Sequence, residues 1–202
     1  MEKRNNGTLF VVSAPSGAGK TTLCKKIIKT IDNVRNSVSF TTRQPRAGEI
    51  PDEDYCFVSE AEFRAMIDRG DFVEWARVHG NFYGTSRLKL EELVSAGYDV
   101  LLDIDTQGAH QIRKAFNNAV SIFILPPSMK ELKHRLEGRM SNSAEDMDRR
   151  LQRAVDEIRE YKTYDYVIVN DVIKTSLKKL EAIIIAETLR SSKIDPHWIQ
   201  NI

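Results

Sequence analysis

The sequence predicts an α/β fold in which helices flank a central parallel β-sheet. One observation is a series of short apolar runs, each apolar on both faces, as strands of a covered parallel sheet are. A second is that segments with helical periodicity separate these runs, and this alternation is typical of α/β proteins. The predicted strands are Leu9–Val12, Val38–Thr42, Val100–Ile104, Ile122–Leu125 and Tyr166–Val169.

Helix start signals accompany the predicted helices. Ser59 with Glu62, and Ser128 with Glu131, have capping-box spacing, in which the serine accepts a hydrogen bond from the backbone of the glutamate. Ser143 precedes a third helical period, and a fourth lies near the C-terminus. The apolar positions are Met147, Leu151, Ala154, Ile158 and Tyr161 in the third period and Leu177, Leu180, Ile183, Ile184 and Leu189 in the fourth.

Two segments interrupt the alternation. The stretch from about residue 41 to 87 is rich in charged, aromatic and turn residues, so we interpret 37–87 as a subdomain inserted into a core of 1–36 and 88–202. Residues 136–150 have Gly138 and Arg139 followed by several small polar residues, which predicts a mobile loop between two helices.

Composition excludes several classes of protein. The 202 residues carry 30 basic and 29 acidic side chains, a net charge of +1, so no global field attracts nucleic acid or a membrane surface. Cys24 and Cys56 are too few for a disulfide framework and lack metal-ligand spacing, which suits a reducing compartment. No apolar run is long enough for a signal peptide or a membrane span. We therefore expect a cytoplasmic protein.

The segment SAPSGAGKTT directly follows the first predicted strand. Residues 17–21 match the end of the pattern G-x-x-x-x-G-K-[ST], and Ala14 stands where the pattern has its first glycine. The glycines allow backbone N–H groups to turn toward phosphate oxygens, and the following helix adds partial positive charge. Lys20 would reach the β- and γ-phosphates and Thr21 would hold Mg²⁺. The segment predicts a bound nucleoside triphosphate.

Two carboxylates lie at the C-terminal end of the predicted strand Val100–Ile104. Asp103 and Asp105 lie two residues apart and so share one side, at the strand end where ligands bind in open α/β sheets. One of them would order Mg²⁺ through water and the other would face the acceptor, although Asp105 is also placed to cap the next helix. The same stretch spells D-x-x-G, a GTPase switch element, but the chain has no Asn-Lys-x-Asp motif.

Arginines form two separate sets. Arg43 and Arg46 lie three residues apart in a segment too irregular to be a helix face. Arg139 in the predicted loop forms the second set, with Arg135 and Arg150 on the flanking helices. Planar guanidinium groups suit phosphates because they make two-point contacts. Two such sets beside a phosphate loop indicate two phosphate groups that are brought together against their repulsion.

These segments together resemble the guanylate kinase family from about Gly7 to Arg190. The threonine-arginine segment and the DID-Q-G segment are the most specific to this family, and Met140 stands where many members have a glycine. The matching segments are SAPSGAGKTT, TTRQPRAGE, FVEWA, NFYGTS, LLDIDTQGA, IFILPPS, RLEGR and YDYVIVND.

The resemblance implies a phosphate-loop kinase fold, in which 37–87 binds GMP, about 136–150 forms a lid, and Mg²⁺ assists transfer from ATP to GMP. Lys20, Arg43, Arg139 and Arg150 would be catalytic, and Thr21 and Asp103 would serve the metal. ATP would lie on Ala14, Pro15, Ser16, Gly17, Ala18, Gly19, Lys20, Thr21 and Thr22, with Arg135 and Asn170. GMP would contact Ser39, Arg43, Arg46, Tyr55, Glu74, Tyr83, Thr85 and Asp105.

The implied chemistry needs no catalytic base, because the acceptor phosphate has a second pKa of about 6 and is largely ionised at neutral pH. Three alternatives stay open: a guanylate-kinase-like domain that binds proteins without catalysis, a GTP-hydrolysing switch, and a kinase for another monophosphate. Glu74 has the further alternative of a solvated charge beside Trp75. No nucleic-acid, membrane or obligate protein partner is expected.

Overall fold

The structure is a computed structural model that describes residues 6–78, 80–137, 144–194 and 200. Its strands are β1 (Leu9–Ser13), β2 (Val34–Asn36), β3 (Phe40–Thr41), β4 (Cys56–Phe57), β5 (Phe72–Val78), β6 (Asn81–Ser86), β7 (Asp99–Asp103), β8 (Val120–Leu125) and β9 (Tyr166–Val169). Five of them form a parallel sheet in the order β2-β7-β1-β8-β9, and the others form a second sheet in the order β4-β3-β6-β5. The predicted α/β class is confirmed.

The helices are α1 (Lys20–Ile28), α2 (Glu60–Arg69), α3 (Arg87–Ser95), α4 (Thr106–Ala115), α5 (Met129–Glu137), α6 (Ala144–Arg159) and α7 (Ile173–Thr188). Ser59 accepts a hydrogen bond from the Glu62 backbone at 3.1 Å, and Ser128 accepts one from Glu131 at 3.1 Å, so both predicted caps are confirmed. The predicted cap Ser143 lies outside the described residues. No helix in the described ranges has both the length and the apolar character needed to cross a membrane.

Helices bury both faces of the parallel sheet. Phe10 and Val12 of β1 pack on one face with Leu23 of α1 and Ile184 of α7, while Val11 belongs to a cluster on the other face. All five residues of β1 are buried, which explains why the first four, Leu9–Val12, are all apolar. The register of β1 and β7 places their carboxyl ends side by side, so the segments that follow them meet at one edge.

The predicted strand Val38–Thr42 was wrong as a member of the parallel sheet. The strand that follows β1 in the parallel sheet is β2, at the edge of the sheet beside β7. Only Val34 of β2 is buried, so its sequence shows little apolar pattern. Phe40 and Thr41 instead form β3 of the second sheet, where the Phe40 ring lies 5.9 Å from that of Phe72. Four phenylalanine and methionine side chains give this sheet its own apolar cluster: Phe63, Met66, Phe72 and Phe82.

Two further expectations need correction. Leu189 follows the last residue of α7 and is 59% exposed, so it is not a core position of that helix. The predicted loop 136–150 is helical at both ends, because α5 extends to Glu137 and α6 begins at Ala144. Arg139 and Met140 lie outside the described residues.

Candidate functional site

The phosphate loop connects β1 to α1 at the carboxyl edge of the parallel sheet. Gly17 and Gly19 have φ angles of 90° and 92°, a left-handed conformation that favours glycine, and Gly19 is the N-cap of α1. A Cβ atom on Gly19 would lie 2.4 Å from the side-chain nitrogen of Asn170. No larger residue fits there, which accounts for the second glycine of the pattern.

Lys20 and Asp103 form an ion pair at the floor of the cleft. Lys20 Nζ lies 2.7 Å from Asp103 Oδ1 and donates to the Ile104 carbonyl at 2.5 Å. Burial of the ammonium group lowers its pKa, but the Asp103 carboxylate outweighs this effect, and the pKa of Lys20 is raised above its ordinary value. Lys20 is therefore fully charged at neutral pH, and exposed Thr21 lines the same cleft.

Glu74 and Thr85 face this ion pair from the second sheet. They are register partners on β5 and β6, and Thr85 Oγ1 donates to Glu74 Oε1 at 2.5 Å. Burial raises the pKa of Glu74 to about 7 against the opposing Thr85 hydrogen bond, which is the next largest effect, and the nearby Asp105 charge adds a smaller increase. Glu74 is only 4% exposed, so it is not a solvated charge beside Trp75.

Asp105 is the N-cap of α4 and also lines the cleft. Its Oδ1 accepts a hydrogen bond from the Gly108 backbone at 2.9 Å, which confirms the capping role, and Gln107 donates to Oδ2 at 3.1 Å. A Cβ atom on Gly108 would lie 2.4 Å from Glu74 Oε2. The glycine of D-x-x-G thus makes room for the buried glutamate, and this packing explains the motif without a GTPase switch.

Arg43 is held among aromatic and acidic groups beside the cleft. Its guanidinium carbon lies 5.3 Å from the centroid of the Tyr55 ring, and the Tyr55 and Tyr83 rings are 6.0 Å apart. Arg43 Nη2 donates to both oxygens of Glu49 at 2.9 and 3.0 Å, and the Arg46 backbone donates to Glu49 at 2.8 Å. Burial lowers the pKa of Arg43, but the Glu49 hydrogen bonds outweigh this and raise it.

Two acidic residues near the site were not predicted: Glu49, which pairs with Arg43, and Glu157 of α6, which lines the cleft. Glu49 had a usable signal, since an acid follows two arginines within one irregular segment. Glu157 lies one helical turn after buried Ala154, a spacing that places it on the inward side of α6. Its carboxylate lies 3.2 Å from Arg153 Nε, and burial raises its pKa.

The cleft brings together most of the predicted residues. Buried Thr85 is bonded to Glu74, half-buried Arg43 lies beside Tyr55, and exposed Arg46 lines a neighbouring cavity. Ala18 is buried in the phosphate loop, and Thr22 is exposed on α1. The lining includes Ala14, Pro15, Ser16, Gly17, Gly19, Lys20, Thr21, Ser39, Tyr55, Glu74, Tyr83, Asp103 and Asp105.

The predicted residues Arg135, Asn170 and Arg150 do not line the cleft. The Asn170 side chain is buried and donates to the Ala18 carbonyl at 2.7 Å, while Arg135 donates to the Asn170 carbonyl at 3.3 Å. Both residues therefore brace the phosphate loop from behind. Arg150 is half-buried on α6.

The residues fit a magnesium ion that is bound mainly through a nucleotide. No group of three or more histidine, cysteine or acidic residues suited to a metal exists within the described ranges, but Thr21 and Asp103 line one cleft. Mg²⁺ is commonly held by one or two carboxylates together with substrate phosphates. Cys24 and Cys56 are both free and buried.

Comparison with known proteins gives a consistent result. A family model described as guanylate kinase matches residues 6–187. A guanylate kinase of Geobacter metallireducens is 52% identical over 95% of this chain and 94% of its own length. One of Escherichia coli strain K12 is 52% identical over 93% of this chain and 91% of its own.

Solved structures agree. The guanylate kinase of Anaplasma phagocytophilum superimposes with a TM-score of 0.80 at 37% identity, covering 96% of this chain and 93% of that one. A shikimate kinase of Bacteroides thetaiotaomicron gives a TM-score of 0.50 at 14% identity, covering 88% and 98%, and shares the fold alone.

Proposed function

This chain belongs to the guanylate kinase family and transfers the γ-phosphoryl group of ATP to GMP, and from that premise we propose the role of each group in the cleft. ATP lies on the phosphate loop, with its β- and γ-phosphates against the loop amides and Lys20. Lys20 suits this role because it is charged and most of its side chain is shielded from solvent. Arg135 and Asn170 support the ATP site from behind the loop.

We propose that GMP binds between the two sheets, within a subdomain of residues 37–87. Its phosphate lies against Arg43, Arg46, Tyr55 and Tyr83. Its guanine edge meets Glu74, and Ser39, Thr85 and Asp105 complete that pocket. The observation that carries this assignment is the buried Glu74 carboxylate facing Lys20 across one cleft.

Mg²⁺ would be held by Thr21 and by Asp103 through water. When bound, it neutralises charge on the transferred phosphoryl group. The chain's own cations act in the same direction, since Lys20 and Arg43 spread the charge of a loose, in-line transfer. We also propose a cytoplasmic location, which the two free thiols suit.

The substrate assignment is tested by measuring ADP release from ATP and Mg²⁺ with GMP, AMP, CMP, UMP and dTMP in turn. We expect GMP to be preferred by a factor of about 10⁴, because the pocket is built to accept hydrogen bonds from guanine. Comparable rates with another monophosphate would reassign the acceptor. GTP turnover in the absence of GMP would instead indicate a hydrolase.

We propose that residues 136–150 form a lid whose arginines engage the phosphates when it closes. Arg139→Ala and Arg150→Ala should each lower kcat much more than they raise KM for GMP, since these groups engage phosphates mainly on closure. Steady-state kinetics at saturating ATP give both constants. An unchanged kcat with only a raised KM would assign the arginines to ground-state binding.

A further inference from the structure

The turn that delivers Tyr55 to the cleft is fastened by its own polar groups. Asp52 donates its backbone N–H to the Tyr55 carbonyl at 2.9 Å and adopts a left-handed φ of 63°. Asp54 donates its backbone N–H to the Ile50 carbonyl at 3.0 Å, and its Oδ2 accepts the Ile50 N–H at 2.9 Å. The turn of residues 50–55 is therefore closed on itself.

The other oxygen of Asp54 is bonded to a different part of the molecule. Asp54 Oδ1 accepts a hydrogen bond from Lys25 Nζ on α1, and the two form an ion pair. Lys25 lies on the helix that begins at the phosphate loop, five residues after Lys20. The pair thus connects the helix of the ATP site directly to the turn that carries Tyr55.

The space beside this ion pair is not filled by side chains. A cavity of about 130 Å³ separates α1 from the turn, with Thr21, Cys24 and Ile28 on one side and Arg46, Glu49 and Tyr55 on the other. Because apolar packing does not close this gap, α1 and the turn are joined here by polar groups, in addition to the backbone hydrogen bond from Cys56 to the Ser39 carbonyl that anchors the residue after Tyr55. Lys25 and Asp54 form such a link.

We propose that Lys25 and Asp54 are positioning residues that hold the 50–55 turn, and Tyr55 with it, at a fixed distance from the phosphate loop. The inference rests on the proposed role of Tyr55 in binding the GMP phosphate. Lys25 acts only on placement, since the Asp54–Ile50 hydrogen bond keeps the turn itself closed without it. Its loss should therefore weaken acceptor binding without unfolding the turn.

The size of the effect follows from exposure. The Lys25 side chain is 61% exposed and that of Asp54 is 18% exposed, so the pair is partly screened by solvent. Such pairs are modest and sensitive to salt. Lys25→Gln should raise KM for GMP about threefold to fivefold at low ionic strength, with kcat and KM for ATP unchanged.

The matched control is Lys26→Gln, which removes the same charge from the next exposed residue of α1 and should leave KM for GMP at the wild-type value. Lys25→Arg should restore it, because the arginine can still reach Asp54. In a double-mutant cycle, Asp54→Asn keeps an acceptor for the Ile50 N–H and should add little to Lys25→Gln. At high salt, Lys25→Gln and wild type should converge.

A measurement without nucleotide separates this inference from the proposed function. Amide hydrogen exchange at Cys56, whose N–H is bonded outside the turn to the Ser39 carbonyl, should be faster in Lys25→Gln than in wild type or Lys26→Gln, while the amides bonded within the turn keep their wild-type protection. If Tyr55→Phe leaves KM for GMP unchanged, the proposed role of Tyr55 in binding the phosphate is wrong. The Lys25–Asp54 link is then tested by the amide exchange measurement alone. Three results would each overturn the proposal. Exchange at Cys56 in Lys25→Gln could equal that of wild type, or Lys25→Gln could leave KM for GMP unchanged although Tyr55→Phe raises it. The third is a rise of KM for GMP in Lys26→Gln equal to that in Lys25→Gln.

Discussion

Lys20→Met is expected to reduce kcat by about 10³ while the fold persists, because the lysine charge is needed most as the γ-phosphoryl group leaves. Methionine retains an unbranched apolar stem, so packing along the cleft floor is largely preserved. What is lost is the ammonium group that contacts Asp103 Oδ1 and the Ile104 carbonyl. The measurement is kcat for ADP formation at saturating ATP and GMP.

Two controls support that measurement. Lys20→Met leaves Asp103 without its partner, so a thermal melt must show that the variant is folded at the assay temperature. Lys29→Met removes the same charge from an exposed position just after α1 and should retain full activity. A Lys20→Met enzyme with more than about a tenth of wild-type activity has lost under 1.4 kcal/mol of transition-state stabilisation, too little for the assigned role.

Glu74→Gln should lower kcat/KM for GMP about 30-fold or more, which corresponds to a loss of roughly 2 kcal/mol of transition-state stabilisation. It should also reduce the preference in kcat/KM for GMP over AMP. Guanine presents N1–H and N2–H₂ side by side, and the Glu74 carboxylate can accept from both. Adenine has a lone pair at N1, which the same carboxylate repels. The measurement is kcat/KM for both monophosphates in wild type and variant. Equal proportional losses, or none, would remove Glu74 from the base pocket.

The raised pKa of Glu74 adds a pH dependence. Guanine binding requires the ionised Glu74 carboxylate, whereas burial raises the pKa of Glu74 to about 7 in the protein without nucleotide. GMP affinity should therefore fall as the pH drops from 8 to 6, in part because binding must then remove a proton from Glu74. The acceptor phosphate also titrates in this range, so the comparison with Glu74→Gln isolates the carboxyl contribution. An identical pH profile in the variant would contradict this assignment.

The same shift links Glu74 to stability. Its pKa in the folded state lies above the unfolded value of about 4.3, so the ionised group opposes folding. This penalty is absent below about pH 4, grows as the pH rises, and is complete above about pH 7. Without nucleotides, Glu74→Gln should therefore raise Tm at pH 8 by about 5 °C and change it little at pH 4. Calorimetry at the two pH values checks the sign.

Sequence patterns predicted those parts of the molecule whose mechanics are local. The phosphate loop follows from a buried strand, two left-handed glycines and a helix start within ten residues, and both serine caps follow from a three-residue spacing. The strand Val38–Thr42 was misplaced because an apolar run does not reveal which sheet it joins. The edge strand at Val34 was missed because only one of its residues is buried.

Contacts between distant segments were beyond the sequence. Without a neighbouring helix in view, nothing indicated that Gly108 must stay small to admit Glu74, or that Lys25 reaches Asp54. Glu157 shows the same limit, since an acid on a charged helix has no distinguishing pattern until the opposing wall of the cleft is known. Where the fold brings remote groups together, composition and periodicity carry no distance information.

The division into two sheets also bears on how such an enzyme can change. Lys20 and Asp103 lie at the edge of the parallel sheet, whereas Glu74 and Thr85 belong to a sheet with its own apolar cluster, and the two regions touch where Gly108 meets Glu74. Replacements within β5 and β6 can therefore alter which base is accepted while the groups that handle the phosphoryl donor keep their surroundings. New acceptor preferences are thus accessible to selection or engineering without rebuilding the donor site, and the two halves must change together where β5 meets α4, at Gly108 against Glu74 and Gln111 against Trp75.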